Sequence, residues 1–245
     1  MFCDKPIGIF DSGIGGLSVL KEMQKLMPNE NYIYLADTEN APYGEKSSED
    51  ILRYSIHNTK KLVYLGCKAI VIACNTATAV AVDVLRKEFS IPIFGIEPAI
   101  KPAVENGGNV LILTTERTAS EARFKQLVSR YQSSSNAKLF TLPVQKLVAL
   151  VENGKAEMEE TVDYLKSEFA RFKNVKFKSC VLGCTHFPIA KKSIEKALEY
   201  RVEFFDGSSG TAGHVKSVLG KRELLNGSDL NGNVVFLKTR SNITK

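Results

Sequence analysis

Two short stretches place a cysteine directly after an apolar run. In "AIVIACNT" (69–76) the thiol is Cys74; in "SCVLGCTHFP" (179–188) it is Cys184, with Thr185, His186 and Pro188 behind it. The shared order is an apolar strand, then Cys, then Thr, and the two thiols lie 110 residues apart. Zinc binding would need Cys180, Cys184 and His186 together. Four residues of extended chain put Cys180 and Cys184 about 13 Å apart, whereas zinc ligands bound at about 2.3 Å must nearly touch. A redox Cys-x-x-Cys pair is absent. Two thiol chemistries remain: nucleophilic catalysis, which needs one cysteine, and proton transfer, which can use two. Matched thiols on matched lobes facing one cleft point to the second. Racemisation requires that arrangement, because one thiolate removes a proton from a chiral carbon and the other thiol returns one to the opposite face.

The elements that must hold these thiols follow from period and punctuation. "PIGIF" is a strand ending at "DSGIGG", and "LSVLKEMQKLM" a helix stopping before Pro28. "NYIYLA" is a second strand, and Ser47 with Asp50 caps a long helix ending near Gly66. "AIVIA", its helix "TAVAVDVLRKEF" and the strand "IPIFGI" follow. Strands with no polar face belong to parallel sheets covered on both sides, so the class is α/β, doubly wound. After "EPAIKPAVENGG" the pattern restarts with "NVLILT", a helix around "SEARFKQLVSRY", "AKLFTL", two helical stretches and "SCVLG". The expected organisation is two similar lobes with mainly parallel sheets: residues 1–96 with 207–245, carrying Asp11 and Cys74, and residues 97–206, carrying Cys184 and His186. "DGSSGTAGHV" is read as the second crossing between lobes, and "NVVFLKT" as a strand returning to the first. Ligands of such sheets bind beyond the carboxyl ends of strands. Both cysteines fall there, each before a helix whose unpaired N–H groups and dipole favour the thiolate.

Composition limits the function classes. At 245 residues and 44% apolar, the chain can bury one large core or two small ones. No apolar run reaches the roughly 20 residues needed to span a bilayer, and "MFCDKPIGIF" lacks the form of a signal peptide, so a cytoplasmic protein is expected. Five cysteines, an odd number, do not suggest a disulfide framework. Cys3, Cys67 and the strand residue Cys180 read as structural or incidental. The net charge of +6 comes from 33 basic and 27 acidic residues mixed along every segment, which suits a solvated surface better than nucleic acid. "DSGIGG" lacks the Gly-Lys-Ser/Thr ending of a P-loop and the spacing of a dinucleotide fingerprint.

"FDSGIGGLSVL", "APYG" (41–44), "ACNTAT" (73–78), "GIEPA" (95–99) and "GCTHFP" (183–188) together resemble the cofactor-independent glutamate racemases of the aspartate/glutamate racemase superfamily. The resemblance spans most of the chain. It implies two α/β lobes with the site between them, a homodimer, and interconversion of L- and D-glutamate for peptidoglycan, with no metal, pyridoxal phosphate or nucleotide. Carried over by motif, Cys74 deprotonates D-glutamate and Cys184 deprotonates L-glutamate. Asp11 becomes a helper of Cys74 or a partner of the substrate ammonium. His186 can relay a proton for Cys184 or favour its thiolate when charged, and Glu152 is its acidic partner. Ser12, Asn75, Thr76 and Thr185 offer donors suited to a substrate carboxylate, while Tyr43 and Gly44 bring a loop backbone and a phenol over the site. His57 and His214 have no such context and read as surface residues.

Departures from the family pattern bear on two loops. "TENAPYG" lacks the Arg that many members carry before "PYG", and "TTERTAS" lacks the Gly that often precedes the Thr equivalent to Thr118, a further substrate ligand. An N-terminal extension linked in some relatives to control by a cell-wall precursor is not expected, since the first strand opens by residue 6. An aspartate or other amino-acid racemase of the same superfamily, and more distantly a basic non-enzymatic binding protein, are the competing readings.

Overall fold

The computed structural model describes residues 4–239; Cys3 lies outside them. In chain order the elements are β1 (Ile7–Asp11), α1 (Leu17–Leu26), β2 (Tyr32–Ala36), α2 (Ser48–Tyr64), β3 (Ala69–Ile72), α3 (Asn75–Glu88) and β4 (Ile93–Gly95). Then come α4 (Ile100–Glu105), β5 (Val110–Thr114), α5 (Glu116–Ser120), α6 (Ala122–Ser133), β6 (Leu139–Pro143), α7 (Gln145–Glu152), α8 (Glu159–Phe169), β7 (Ser179–Leu182), α9 (Lys191–Leu198) and β8 (Glu203–Asp206). Last are α10 (Ser208–Lys221) and β9 (Val234–Lys238). The chain forms two compact units, Met1–Glu97 with Ser208–Lys245, and Pro98–Gly207.

The first unit holds a five-stranded sheet in the order β4-β3-β1-β2-β9, every pair parallel. Alternation along each strand sends successive side chains to opposite faces. Ile7 and Ile9 pack with Val19, Met23, Val215 and Leu219 from α1 and α10. Phe10, Ile70 and Ile72 pack with Ile51, Leu62 and Leu85 from α2 and α3. Each fully buried side chain of this size contributes about 1.5–3 kcal/mol of transfer free energy. Ser47 caps α2 as its sequence suggested, accepting the Asp50 N–H at 3.0 Å.

The second unit repeats the first. Its four-stranded sheet, β6-β5-β7-β8, is also parallel throughout. β7 lies between β5 and β8 as β3 lies between β1 and β4. Leu111, Leu113 and Leu182 pack under α7, α8 and α9, and Val110, Ile112 and Val181 under α4 and α6.

One segment differs from expectation. "DGSSGTAGHV" is not a linker throughout: its first residue ends β8 and the residues from Ser208 onward open α10. Ser208, Thr211, Ala212, Val215 and Leu219 make a buried helical face, which small and hydroxyl residues disguised as a loop. Among the described residues, no helix is long and apolar enough to cross a membrane.

Candidate active site

In the first unit the chemistry-bearing residues gather at the carboxyl ends of β1 and β3. Asp11 closes β1 and is fully buried. Its Oδ2 accepts the Gly13 N–H at 3.0 Å and the Gly16 N–H at 3.1 Å, so the glycine loop folds around the carboxylate. A side chain at Gly16 would collide with Asp11 and Ala73, at 2.7 and 2.8 Å from their Cβ atoms, and with the Tyr34 hydroxyl. Cys74 is the N-cap of α3: its Sγ accepts the Ala77 N–H at 3.4 Å and lies 3.8 Å from Ser12 Oγ. Asn75 and Thr76 open the same helix, 4% and 3% exposed. Both amide atoms of Asn75 are buried without a hydrogen-bond partner. A buried amide left in that state costs free energy, which a polar ligand atom would recover.

Tyr43 and Gly44 form a 3-10 turn. The Tyr43 phenol, read from sequence as reaching over the site, instead spends its hydrogen bond on Asp37, donating to Oδ2 at 2.5 Å. Asn58 of α2 donates to the same Oδ2 and to the Tyr43 oxygen, both at 3.1 Å. Burial, followed by the charge of Asp37, pushes the Tyr43 phenol up from its ordinary range, so it stays protonated and donating. What the turn can offer a ligand is its backbone.

In the second unit Cys184, Thr185, His186 and Glu152 surround the end of β7. Cys184 Sγ stands 3.7 Å from His186 Nδ1, and His186 Nε2 is hydrogen-bonded to Oε1 of Glu152, the last residue of α7. Thr185 and His186 are buried, while the Glu152 side chain is 37% exposed. The hydrogen bond to His186 holds the Glu152 carboxyl below its usual range, so Glu152 is the acceptor. In the neutral tautomer that donates from Nε2 to Glu152, His186 turns the Nδ1 acceptor toward the thiol.

The two thiols are not placed alike with respect to helices. Cys184 precedes a 3-10 turn, Phe187–Ala190, with Pro188 in its first positions, and α9 begins only at Lys191. The helix-terminus argument therefore applies to Cys74 and not to Cys184, beside which the structure puts an imidazole. Thr118 lies in α5 and is engaged in its cap, its N–H bonded to Thr115 Oγ1 at 3.2 Å and its Oγ1 accepting from Thr115 at 2.9 Å. Cys67 and Cys180 are core thiols, both raised by burial, Cys67 to about 12. His57 and His214 are exposed. Among the described residues, no group of three or more His, Cys, Asp or Glu is placed to hold a metal ion.

Asp37, Asn58 and Thr115 escaped the sequence reading. For Asp37 a signal existed, since "IYLAD" ends an apolar strand on Asp just as "IGIFD" does.

Residues 7–214 match the family described as Asp/Glu/Hydantoin racemase. A protein named glutamate racemase from Clostridium botulinum (strain Alaska E43 / Type E3) is 42% identical over 239 residues, 96% of this chain and 92% of its own length. The crystal structure of glutamate racemase from Thermus thermophilus, in complex with beta-chloro-D-alanine, superposes with a TM-score of 0.83 at 32% identity, covering 99% of this chain and 90% of that one. The enzyme from Francisella tularensis, in complex with D-glutamate, also gives 0.83, at 29% identity over 98% of this chain and 90% of its own. With the family match spanning most of its length, the chain belongs to the Asp/Glu/Hydantoin racemase family.

Proposed function

We propose that the chain is a cofactor-independent glutamate racemase in which Cys74 and Cys184 act on opposite faces of the α-carbon. The observation that carries this is positional: each thiol stands two residues beyond the strand that occupies the same place in its own sheet. Substrate identity rests on the relatives named glutamate racemase, which share two fifths of their residues with this chain.

In this reading the Cys74 thiolate takes the α-proton of D-glutamate and the Cys184 thiol delivers one to the other face; L-glutamate runs the reverse. Asp11 serves Cys74, and the Glu152–His186 pair serves Cys184. The difficult quantity is negative charge growing at the α-carbon and spreading into the carboxylate. Donors fixed before reaction stabilise it without reorganising. The unpartnered Asn75 amide, the hydroxyls of Ser12, Thr76 and Thr185, and the backbone of Tyr43 and Gly44 are assigned to hold the substrate. Thr118, occupied in a cap, is the weakest of these assignments. Supply of D-glutamate for peptidoglycan in the cytoplasm, and a homodimer, belong to the same proposal.

The test is racemisation of L-glutamate and L-aspartate by protein freed of metal and pyridoxal phosphate, in chelator, followed by optical rotation. Glutamate should turn over and aspartate far more slowly. Faster turnover of aspartate would move the chain to the related activity. No turnover of either, with salt-dependent DNA binding, would overturn the enzymatic reading.

A further inference from the structure

The last strand ends beside the hydrogen-bond centre that fixes the Tyr43 turn. β9 pairs with β2 in register Ala36↔Lys238, so Thr239 follows β9 as Asp37 follows β2. The Thr239 N–H bonds to the Ala36 carbonyl at 3.0 Å. Its hydroxyl accepts the Glu39 N–H at 3.1 Å and donates to Asp37 Oδ1 at 2.9 Å. Asp37 is 1% exposed. Its Oδ2 serves Tyr43 and Asn58, and Asn40 donates to Oδ1 at 2.9 Å and Oδ2 at 3.1 Å. A carboxylate buried this deeply is costly unless its lone pairs are filled. Filling both oxygens from different sides also fixes the plane of the group.

We propose that Thr239 is a positioning residue for the Tyr43–Gly44 turn, acting through Asp37. Accepting from the Glu39 N–H aims the Thr239 hydroxyl proton at Oδ1, which locks the carboxylate plane. That plane sets where Oδ2 meets the Tyr43 phenol and hence where the turn's backbone stands. Without the Thr239 hydroxyl, Asn40 is left to hold Oδ1, the carboxylate can tilt, and the turn moves with it. The inference rests on the reading that this turn binds glutamate.

The test is Thr239→Val, which removes the hydroxyl and keeps the backbone pairing of β9. KM for both enantiomers should rise about 5- to 10-fold with kcat within about twofold, the pattern of lost ground-state positioning. Thr239→Ser should restore KM. In an Asp37→Ala background, which removes the shared acceptor, the valine substitution should add nothing, because residues acting through one partner are not additive. An unchanged KM, failure of serine to rescue, or full additivity with Asp37→Ala would overturn the assignment. Should the valine variant not fold, Thr239→Ala makes the same deletion with less bulk. Wild-type turnover, measured first, separates failure of this inference from failure of the racemase reading.

Discussion

His186 is bonded to Glu152 through one ring nitrogen and presents the other to Cys184 at 3.7 Å. Glu152 thus chooses the tautomer of the imidazole beside the thiol. Glu152→Gln keeps the size and loses the charge, and an amide can donate to Nε2 as readily as accept from it. The proton can then move to Nδ1, where it no longer accepts from the thiol. Turnover should fall about 10-fold, below the 10²- to 10⁴-fold typical of a general acid or base, and more for L- than for D-glutamate as substrate. Steady-state kinetics in both directions checks this; equal small losses would make Glu152 a surface carboxylate.

The same pair has a pH signature. Glu152 titrates below its ordinary value of 4.5 in the folded protein because it accepts from His186. A carboxyl whose folded pKa is lowered stabilises the fold fully above the unfolded value, and that contribution disappears as pH falls through the folded one. The stability difference between wild type and Glu152→Gln due to this titration should therefore be level above about pH 4.5 and shrink below it. Urea denaturation at a series of pH values measures it. A difference that grows on acidification would contradict the assignment.

The proposed mechanism has Asp11 and His186 serve different thiols, so their losses should differ in direction. Asp11→Asn can still accept the Gly13 and Gly16 N–H groups through its amide oxygen, and the loop should keep its shape. Its deficit should appear chiefly where Cys74 is the base, with D-glutamate as substrate. His186→Asn should show its deficit chiefly with L-glutamate, where Cys184 is the base. Isotope effects from α-deuterated D- and L-glutamate would report which removal step has slowed. Identical profiles for the two variants would reduce both residues to scaffolding.

Much of the candidate site was legible because residues with reactive side chains and the ends of strands left marks at the same positions. Apolar runs ending in Cys announced β3 and β7, and the structure gives those strands equivalent places in their sheets. The hydrogen-bonded triad of Cys184, His186 and Glu152 was legible only by family likeness, since Glu152 lies on another helix 34 residues away. What stayed hidden depends on contacts across long separations. Asn58 looks like any polar residue of an amphipathic helix until Asp37 is seen against it. Thr239 meets Asp37 over 202 residues of chain, and no local pattern encodes that meeting. The early start of α10 stayed hidden for a different reason: Gly210 and Gly213 lie in the stretch read as a crossing between lobes, yet the helix is held by the face it buries.

Gly16 is a packing requirement of the site. Its Cβ would lie 2.7 Å from Asp11 Cβ and 2.8 Å from both Ala73 Cβ and the Tyr34 hydroxyl. Gly16→Ala must push at least one of them aside, and overpacking of this kind costs about 1–3 kcal/mol. For a chain of this length Tm should fall by about 2–4 °C per kcal/mol. Because Asp11 is among the groups in its way, kcat with D-glutamate should fall further than stability predicts at temperatures where the variant is folded. Calorimetry and kinetics on the same preparation decide it; an unchanged Tm would mean the loop relaxes freely.

The two-thiol assignment makes the sharpest demand. In deuterated water, an enzyme working on one enantiomer should place solvent deuterium mainly in the inverted product at early times. The returning proton comes from the opposite thiol, which has exchanged with solvent, while the remaining substrate stays largely protonated. Cys74→Ala or Cys184→Ala should abolish racemisation, because no acid remains on one face. The surviving thiolate still faces one enantiomer, so Cys74→Ala should retain slow α-proton exchange of L-glutamate and Cys184→Ala of D-glutamate. The environments of the thiols add a difference between the mirror variants. Cys184 has the His186 ring nitrogen at 3.7 Å, whereas Cys74 has the Ser12 hydroxyl and the Ala77 amide. His186→Asn should therefore slow exchange further in the Cys74→Ala background, which relies on the thiol with an imidazole neighbour, and leave exchange by Cys184→Ala unchanged. Nuclear magnetic resonance of the α-proton reads both rates. Near wild-type racemisation by either variant, or deuterium equally in substrate and product from the outset, would mean that one base performs both transfers.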